Sequence, residues 1–277
     1  MSMTVSILLS VFNGERFLRQ AVDSLLTQTY RDFELWIVND ASTDQTPQIL
    51  DQLSREDSRV RIITNERNLG LTKSLNLALA QAQGSSIARM DADDIALPER
   101  LEKQVAYLDA HPDIDVVGTA YQFINAQNRV IGERHPSTDD EQIRRKLIIH
   151  NPFLHSSVLI RRALLDQVHG YDERFRRAQD YDLWMRLEPL TKLANLPNIL
   201  MQKRFTTDMI SYASEREQIK TAVTIRVAAI RRGQYPWWCA IYLIKPFLAT
   251  ILPLPLVRFL RTHVFGQKIY AHPFVQK

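Results

Sequence analysis

Three carboxylates occupy four consecutive positions in Asp91-Ala92-Asp93-Asp94, just beyond the apolar Ser86-Ile87-Ala88 that reads as the end of a buried strand. Carboxylates this close oppose one another's ionisation unless a cation compensates them. A hard divalent ion held by one or two carboxylates plus phosphate oxygens is one solution, and it suits chemistry in which a diphosphate departs. A solvated acidic turn, capping a helix that starts near Pro98, is the other reading. Asp40, after the apolar Phe33 to Val38, is equally a helix cap or a carboxylate placed to bond a base or ribose. Asp180 opens a helical pattern in Gln179-Asp180-Tyr181-Asp182-Leu183-Trp184, with Asp182 directed to a different face. Alone it reads as an N-cap. If it enters the same crevice as the aspartate cluster, it can accept a hydroxyl proton as a general base.

The elements that must carry these residues alternate. Val5 to Val11 is a nearly continuous apolar run, the pattern of a strand covered on both faces. Asn13-Gly14 marks a turn, and Phe17, Ala21, Val22, Leu25 and Leu26 recur at helical spacing. Strands are expected at 33–38, 60–63 and 86–90, with helices carrying Ile49, Leu50 and Leu53, and then Leu75 to Leu79. Four strand–helix alternations imply βαβ units and a doubly wound, mostly parallel α/β sheet. Ligands of such sheets bind beyond the carboxyl ends of the strands, where Asp40 and the aspartate cluster both fall. A helix after Pro98 and a strand over 115–124 continue the pattern. Beyond them the reading is coarser: helical 139–149, extended 156–160, helical 162–168 and helical 179–187.

The chain has 277 residues, 45% of them hydrophobic, enough to bury one sizeable core. Its single cysteine, Cys239, excludes an internal disulfide and a multi-cysteine metal site, and points to a reducing compartment. Thirty-five basic against 31 acidic residues leave a net charge of +4, too balanced for a nucleic-acid protein. Local basic clusters at Arg144-Arg145-Lys146, Arg174 to Arg177 and Arg231-Arg232 can attract phosphates or an anionic membrane surface. No secretory signal pattern precedes the first strand. No P-loop and no Gly-x-Gly-x-x-Gly follows it, so phosphates held at this sheet call for a cation. Residues 236–262 are apolar and aromatic but interrupted by Lys245, Pro246, Pro253 and Pro255. They read as a broken amphipathic segment at a membrane interface, or as helices packed on the domain or on a second subunit.

The ordered segments Val5 to Glu15, Val38-Asn39-Asp40-Ala41-Ser42-Thr43-Asp44, Asn68-Leu69-Gly70, Met90 to Asp94 and Gln179 to Trp184 resemble the family 2 glycosyltransferases over about residues 4 to 212. The resemblance implies an A-type glycosyltransferase fold and an inverting metal-dependent transfer, with Mn2+ or Mg2+ as cofactor. The expected donor is a nucleotide sugar, UDP-linked. The acceptor is a saccharide or lipid-linked hydroxyl in polysaccharide or glycolipid synthesis. Asp40 matches the base-binding aspartate, and Asp91 faces the ribose or the metal. Asp93 is the principal metal ligand and Asp180 the catalytic base, while Ser10 and Glu15 fall where the first loop approaches the nucleoside. The expected organisation is a catalytic domain over 1–212, its nucleotide-binding half over 1–125 and its acceptor-side half over 126–212. A helical segment over 213–277 follows, and the expected location is cytoplasmic or peripheral on the inner membrane face.

Three positions depart from the family pattern: Ser10 for proline, Gln179 for glutamate, and Arg204 to Ser211 without the usual histidine metal ligand. Asp208, water or His155 are candidates for the missing ligand. Competing readings are a nucleotidyltransferase, for which the first loop offers only Arg16, and a degenerate nucleotide-sugar-binding protein without turnover.

Overall fold

The computed structural model describes residues 4–205 and 215–251. The chain divides into two compact units, Met1–Thr206 and Thr207–Lys277.

The first unit opens with β1 (Val5–Val11), α1 (Leu18–Leu26), β2 (Phe33–Asn39), α2 (Thr46–Glu56), β3 (Val60–Thr64), α3 (Leu71–Gln81) and β4 (Ser86–Asp91). The four strands are parallel in the order β3-β2-β1-β4. Their apolar runs are continuous because both faces are covered. Val5, Ile7, Leu9 and Val11 of β1 join one core with Leu18 and Leu25 of α1, and Leu50 and Leu53 of α2. The alternate residues point the other way, where Leu8 and Val38 are buried outside that core and α3 packs on β1 and β2.

The second half of this unit continues with β5 (Ile95–Ala96), α4 (Arg100–Ala110), β6 (Ile114–Ile124), β7 (Val130–Arg134), α5 (Asp140–Leu147), β8 (Leu159–Arg161), α6 (Arg162–Gln167), α7 (Gln179–Leu187) and β9 (Lys192–Arg204). Short β8 is antiparallel to both β4 and β6, and so joins the two halves into one nine-stranded sheet. β9 runs parallel to β6, β5 pairs with β9, and β7 folds back on β6. Buried Arg100 pins the junction, donating from Nη2 to the carbonyl of Arg89 at 2.9 Å and of Val158 at 3.3 Å.

The doubly wound α/β architecture is as expected, with three local differences. The extended segment expected over 156–160 is a 3-10 turn at His155–Ser157 followed by β8. Ser157 bonds back to the Leu154 carbonyl through N (2.9 Å) and Oγ (2.8 Å), a local alternative to ladder pairing. β5 and β7 are further short strands. β9 runs for 13 residues through Pro197. Its register on β6 jumps from Leu196 opposite Thr119 to Ile199 opposite Ala120, so Pro197 and Asn198 bulge out where a missing N–H does no harm.

The second unit contains α8 (Glu215–Arg231), a 3-10 turn (Trp237–Ala240) and α9 (Ile241–Ile251), with Pro246 inside α9. Among the described residues no helix is long and apolar enough to cross a membrane. Residues 252–262 of the expected interfacial segment lie outside the described residues.

Gly118 of β6 shows how tightly the sheet's second half is packed. A Cβ there would overlap Asn195 Oδ1 and come within 2.8 Å of Phe153 Cδ1, and both neighbours are buried. Gly118→Ala is therefore expected to destabilise the protein by about 1–3 kcal/mol. The urea midpoint should fall with an unchanged slope, and an unshifted midpoint would contradict this packing.

Candidate active site

The carboxyl ends of the parallel strands are bound into one rim. Asn13 and Ala41 take left-handed backbones at φ 52° and 61°, and turn the loops after β1 and β2 toward each other. Between these loops the Asn13 N–H donates to Ser42 Oγ at 3.0 Å, Gly14 N–H to Thr46 Oγ1 at 2.9 Å, and Thr43 N–H to Asn13 Oδ1 at 2.8 Å. Glu15 belongs to this seam. Its N–H donates to Asp44 Oδ2 at 3.0 Å, and its Oε2 accepts from the Gln45 N–H at 2.9 Å. Ser10 lies inside the rim, in register with Val38 on one side and Asp91 on the other.

Asp40 is 2% exposed and carries the neighbouring loop. Its Oδ1 accepts from Asn65 Nδ2 at 2.7 Å and the Leu69 N–H at 2.8 Å, and its Oδ2 from the Gly70 N–H at 2.8 Å. Gly70 takes φ +87° directly before α3. The carboxylate expected to read a base thus sets the shape of the 65–70 loop.

The aspartate cluster is built from β4 and the turn after it. One carboxylate oxygen each of Asp91, Asp93 and Asp94 lie within 4.8 Å of one another, yet the three have different partners. Asp94 is buried and doubly bonded: Ser156 Oγ donates to Oδ2, and the Arg204 N–H donates to Oδ1 at 2.9 Å. Asp91 is paired with Arg89, two residues back on the same face of β4. Burial pushes the Asp91 pKa up, but the charge and hydrogen bond of Arg89 outweigh it, and the net direction is down. Asp93 accepts no protein hydrogen bond on its carboxylate among the described residues. Burial, then the charges of Asp94 and Asp91, push it up to about 7, while Asp94 rises to about 6, chiefly by burial. An uncompensated carboxylate beside two ionisable neighbours fits a divalent cation, with Asp93 the open ligand and Asp91 next to it.

Asp180 stands in the first turn of α7, after Ala178 at φ 52°. Asn151 Nδ2 donates to its Oδ2 at 2.6 Å. Burial moves its pKa up, against the Tyr181 N–H, Asn151 and the charges of Arg89 and Lys203. Those two cations act on Asp91 and Asp93 as well, so the base candidate and the cluster share one electrostatic environment. Asp182 takes the other face and pairs with Arg186 at 2.7 Å, a structural contact.

Several contributors are silent in a sequence scan. Arg204, at the end of β9, donates to the Asp93 carbonyl (2.8 Å), Asn128 Oδ1 (2.6 Å) and Gln20 Oε1 (2.9 Å), and so fixes the acidic turn against α1 and the β6–β7 hairpin. Arg89 pairs with Asp91, Lys203 acts through its charge, and Asn151 bonds Asp180 from 29 positions away, with no motif of its own. His155 is corrected as a metal-ligand candidate. It is buried, its Nε2 pairs with Tyr171 Oη at 2.8 Å, and burial and Arg89 hold its pKa well below the usual imidazole value. Asp208 lies outside the described residues.

The site thus combines an acidic turn at a strand end with a carboxylate on a separate helix. The chain matches Glycosyl transferase family 2 over residues 6–168. It is 35% identical over 270 residues to the putative glycosyltransferase EpsE of Bacillus subtilis, covering 95% of each chain. It is 34% identical to the O-antigen biosynthesis glycosyltransferase WbnJ of Escherichia coli, over 70% of this chain and 74% of that one. Among solved structures it resembles S. aureus TarS 1-349 in complex with UDP-GlcNAc, with TM-score 0.69, 22% identity, and 96% of this chain and 76% of that one covered. The mannosyltransferase PcManGT of Pyrobaculum calidifontis, in complex with GDP-Man and Mn2+, gives TM-score 0.68 at 17% identity, with the same shares covered. The chain therefore belongs to glycosyltransferase family 2, and the nucleotidyltransferase alternative gives way.

Only a deprotonated carboxylate ligates a cation, so a proton competes at Asp93, whose pKa lies at about 7. Falling pH protonates Asp93 and weakens binding, and rising pH above 7 removes the competition. Calorimetry with Mn2+ should show Kd rising by about tenfold per unit below neutrality and levelling above it. Asp93→Asn should flatten the profile, whereas a wild-type Kd independent of pH would contradict the Asp93 assignment.

Proposed function

We propose that this glycosyltransferase moves a sugar from a nucleoside-diphosphate donor, UDP-linked, to a saccharide or lipid-linked hydroxyl, with inversion at the anomeric carbon. The observation that carries the reading is Asp93, a half-buried carboxylate with two acidic neighbours and no protein donor among the described residues, at the end of a parallel strand. The donor complexes of TarS and PcManGT support a nucleotide sugar, and the Mn2+ of PcManGT supports a cation. WbnJ, named for O-antigen biosynthesis, supports a polysaccharide acceptor.

Asp93 and Asp91 would hold Mn2+ or Mg2+, which when bound supplies charge neutralisation for the donor diphosphate. The Ser10 backbone, Glu15 and the loop shaped by Asp40 border the nucleoside. Phe12, 45% exposed directly after Ser10 and Val11, offers a ring face to the base. Lys203 adds a further positive charge near the phosphates. Asp180 is the base. Asn151 donates to Oδ2, and the carboxylate takes the proton from the acceptor hydroxyl. As that oxygen bonds to the anomeric carbon, the carbon–oxygen bond to the diphosphate breaks and the nucleoside diphosphate leaves. Burial, by raising the pKa of Asp180, makes it a stronger base without a second carboxylate at Gln179.

Peripheral membrane contact is the second part of the proposal. In the second unit Trp237 is 82% exposed, and Trp238, Ile241, Ile244, Phe247 and Leu248 are exposed with it, all in or just before α9. Arg231, Arg232 and Lys245 lie along the same stretch. Aromatic and aliphatic side chains with basic neighbours match an anionic lipid interface.

Incubation with a panel of sugar nucleotides and Mn2+ should release nucleoside diphosphate from at least one donor. Asp180→Asn should cut transfer by about 10²–10⁴-fold with donor binding retained, and Asp93→Ala should abolish cation-dependent binding. Full activity in both variants would refute the roles given to them. In sedimentation with vesicles, the protein should pellet with phosphatidylglycerol-containing membranes, and Trp237→Ser with Phe247→Ser should leave it in the supernatant. Wild-type protein that stays in the supernatant would refute the membrane contact.

A further inference from the structure

A recess of about 220 Å³ lies between the end of β7, the start of the following segment and α5. Arg134, His135, Lys146 and His150 line it, all exposed, and no carboxylate does. Of the nearby acids, Glu141 pairs with Arg145 and Asp140 with Arg144 at 2.7 Å, while Glu133 lies 3.3 Å from His135 Nε2. Tyr121 and Phe153 add aromatic walls. The floor is stitched together, with Asn195 Nδ2 donating to the Ser137 carbonyl at 2.9 Å, and Lys146 Nζ held to Ser137 Oγ at 2.6 Å.

Position makes the recess informative. Asn151 is one of its wall residues, and its side-chain amide donates to Asp180 Oδ2 at 2.6 Å. A group bound there sits one side chain from the proposed base. We propose that the recess binds an oxyanion, a phosphate or carboxylate, carried by the acceptor whose hydroxyl is presented to Asp180. This rests on the glycosyltransferase reading of the site. A guanidinium bonds two oxygens of such a group at once, and a lysine ammonium and imidazole N–H groups complete its shell. Tyr121 and Phe153 offer ring faces to the sugar that carries it. A cationic recess also raises the local concentration of anionic acceptors and disfavours cationic ones.

The test uses the full-length chain. Inorganic phosphate, glucuronate and glucose are titrated in separately while the imidazole NMR signals of His135 and His150 are followed. Phosphate or glucuronate should shift both signals, and glucose should not. A response to phosphate alone assigns a phosphorylated acceptor, and one to glucuronate alone a uronic-acid acceptor. Arg134→Gln with Lys146→Gln should weaken the responding anion by about tenfold or more, while UDP binding stays at the wild-type value. Should the double variant melt early, Arg134→Gln alone serves, with a smaller loss in the same direction. Unmoved imidazole signals, or a variant that binds the anion as tightly as wild type, would overturn the proposal. Failure of the glycosyltransferase reading shows separately, as no nucleotide release from any donor. Anion binding in a protein that releases none would also overturn the acceptor role.

Discussion

Three carboxylates in four residues hold together at a strand end only if each meets a different environment, and this constraint organises the site. Asp94 is taken into the interior by Ser156 and the Arg204 N–H. Asp91 is neutralised by Arg89. Asp93 is left with neither, so the repulsion concentrates on one half-buried group. Arg204, itself buried, bonds to the Asp93 carbonyl and to the β6–β7 hairpin, so the turn cannot relax by moving outward. A cation or a proton at Asp93 relieves that repulsion.

The same division of labour recurs at the other acids. Asp40 accepts three N–H bonds and fixes a loop, Asp182 pairs with Arg186, and Asp44 receives the N–H groups of Glu15 and Thr46. In each case the carboxylate is satisfied by the protein and shapes backbone. Asp180 differs because burial raises its pKa despite the bonds from Asn151 and the Tyr181 N–H.

The first four strands and three helices were legible because parallel strands covered on both faces leave continuous apolar runs, and helices between them keep a 3.6-residue stripe. The order of the acidic motifs was legible for a related reason: each follows a strand end or opens a helix. β8 was legible only as part of an extended 156–160, since three residues carry too little pattern to part it from the 3-10 turn before it. β9 was not, since Pro197 reads as a stop and only the partner strand reveals a bulge. The supports of the site stayed hidden because their partners are remote in sequence. Arg204 meets Asp94 across 110 positions, and Asn151 meets Asp180 across 29. A base at the head of a helix has the same local sequence as a cap. What separates the two roles is the burial that raises its pKa, and that is a property of packing.

The two halves of the sheet differ in a way that bears on specificity. β1 to β4 form regular parallel ladders with loops fastened across the rim, so the donor end is rigid and built from local motifs. The second half joins it through three-residue β8, and its long ladder of β6 and β9 is interrupted at Thr119 and Ala120. Asn195 and Phe153 close the space beside Gly118, leaving the recess above them as the adaptable surface. On the proposal above, a relative changes its acceptor by replacing Arg134, Lys146 or the 135–137 segment while keeping the aspartate turn. The recess meets the chemistry only through Asn151. On that proposal acceptor choice and proton transfer share one side chain, Asn151, while the charges of Arg89 and Lys203 tie Asp180 to the aspartate turn.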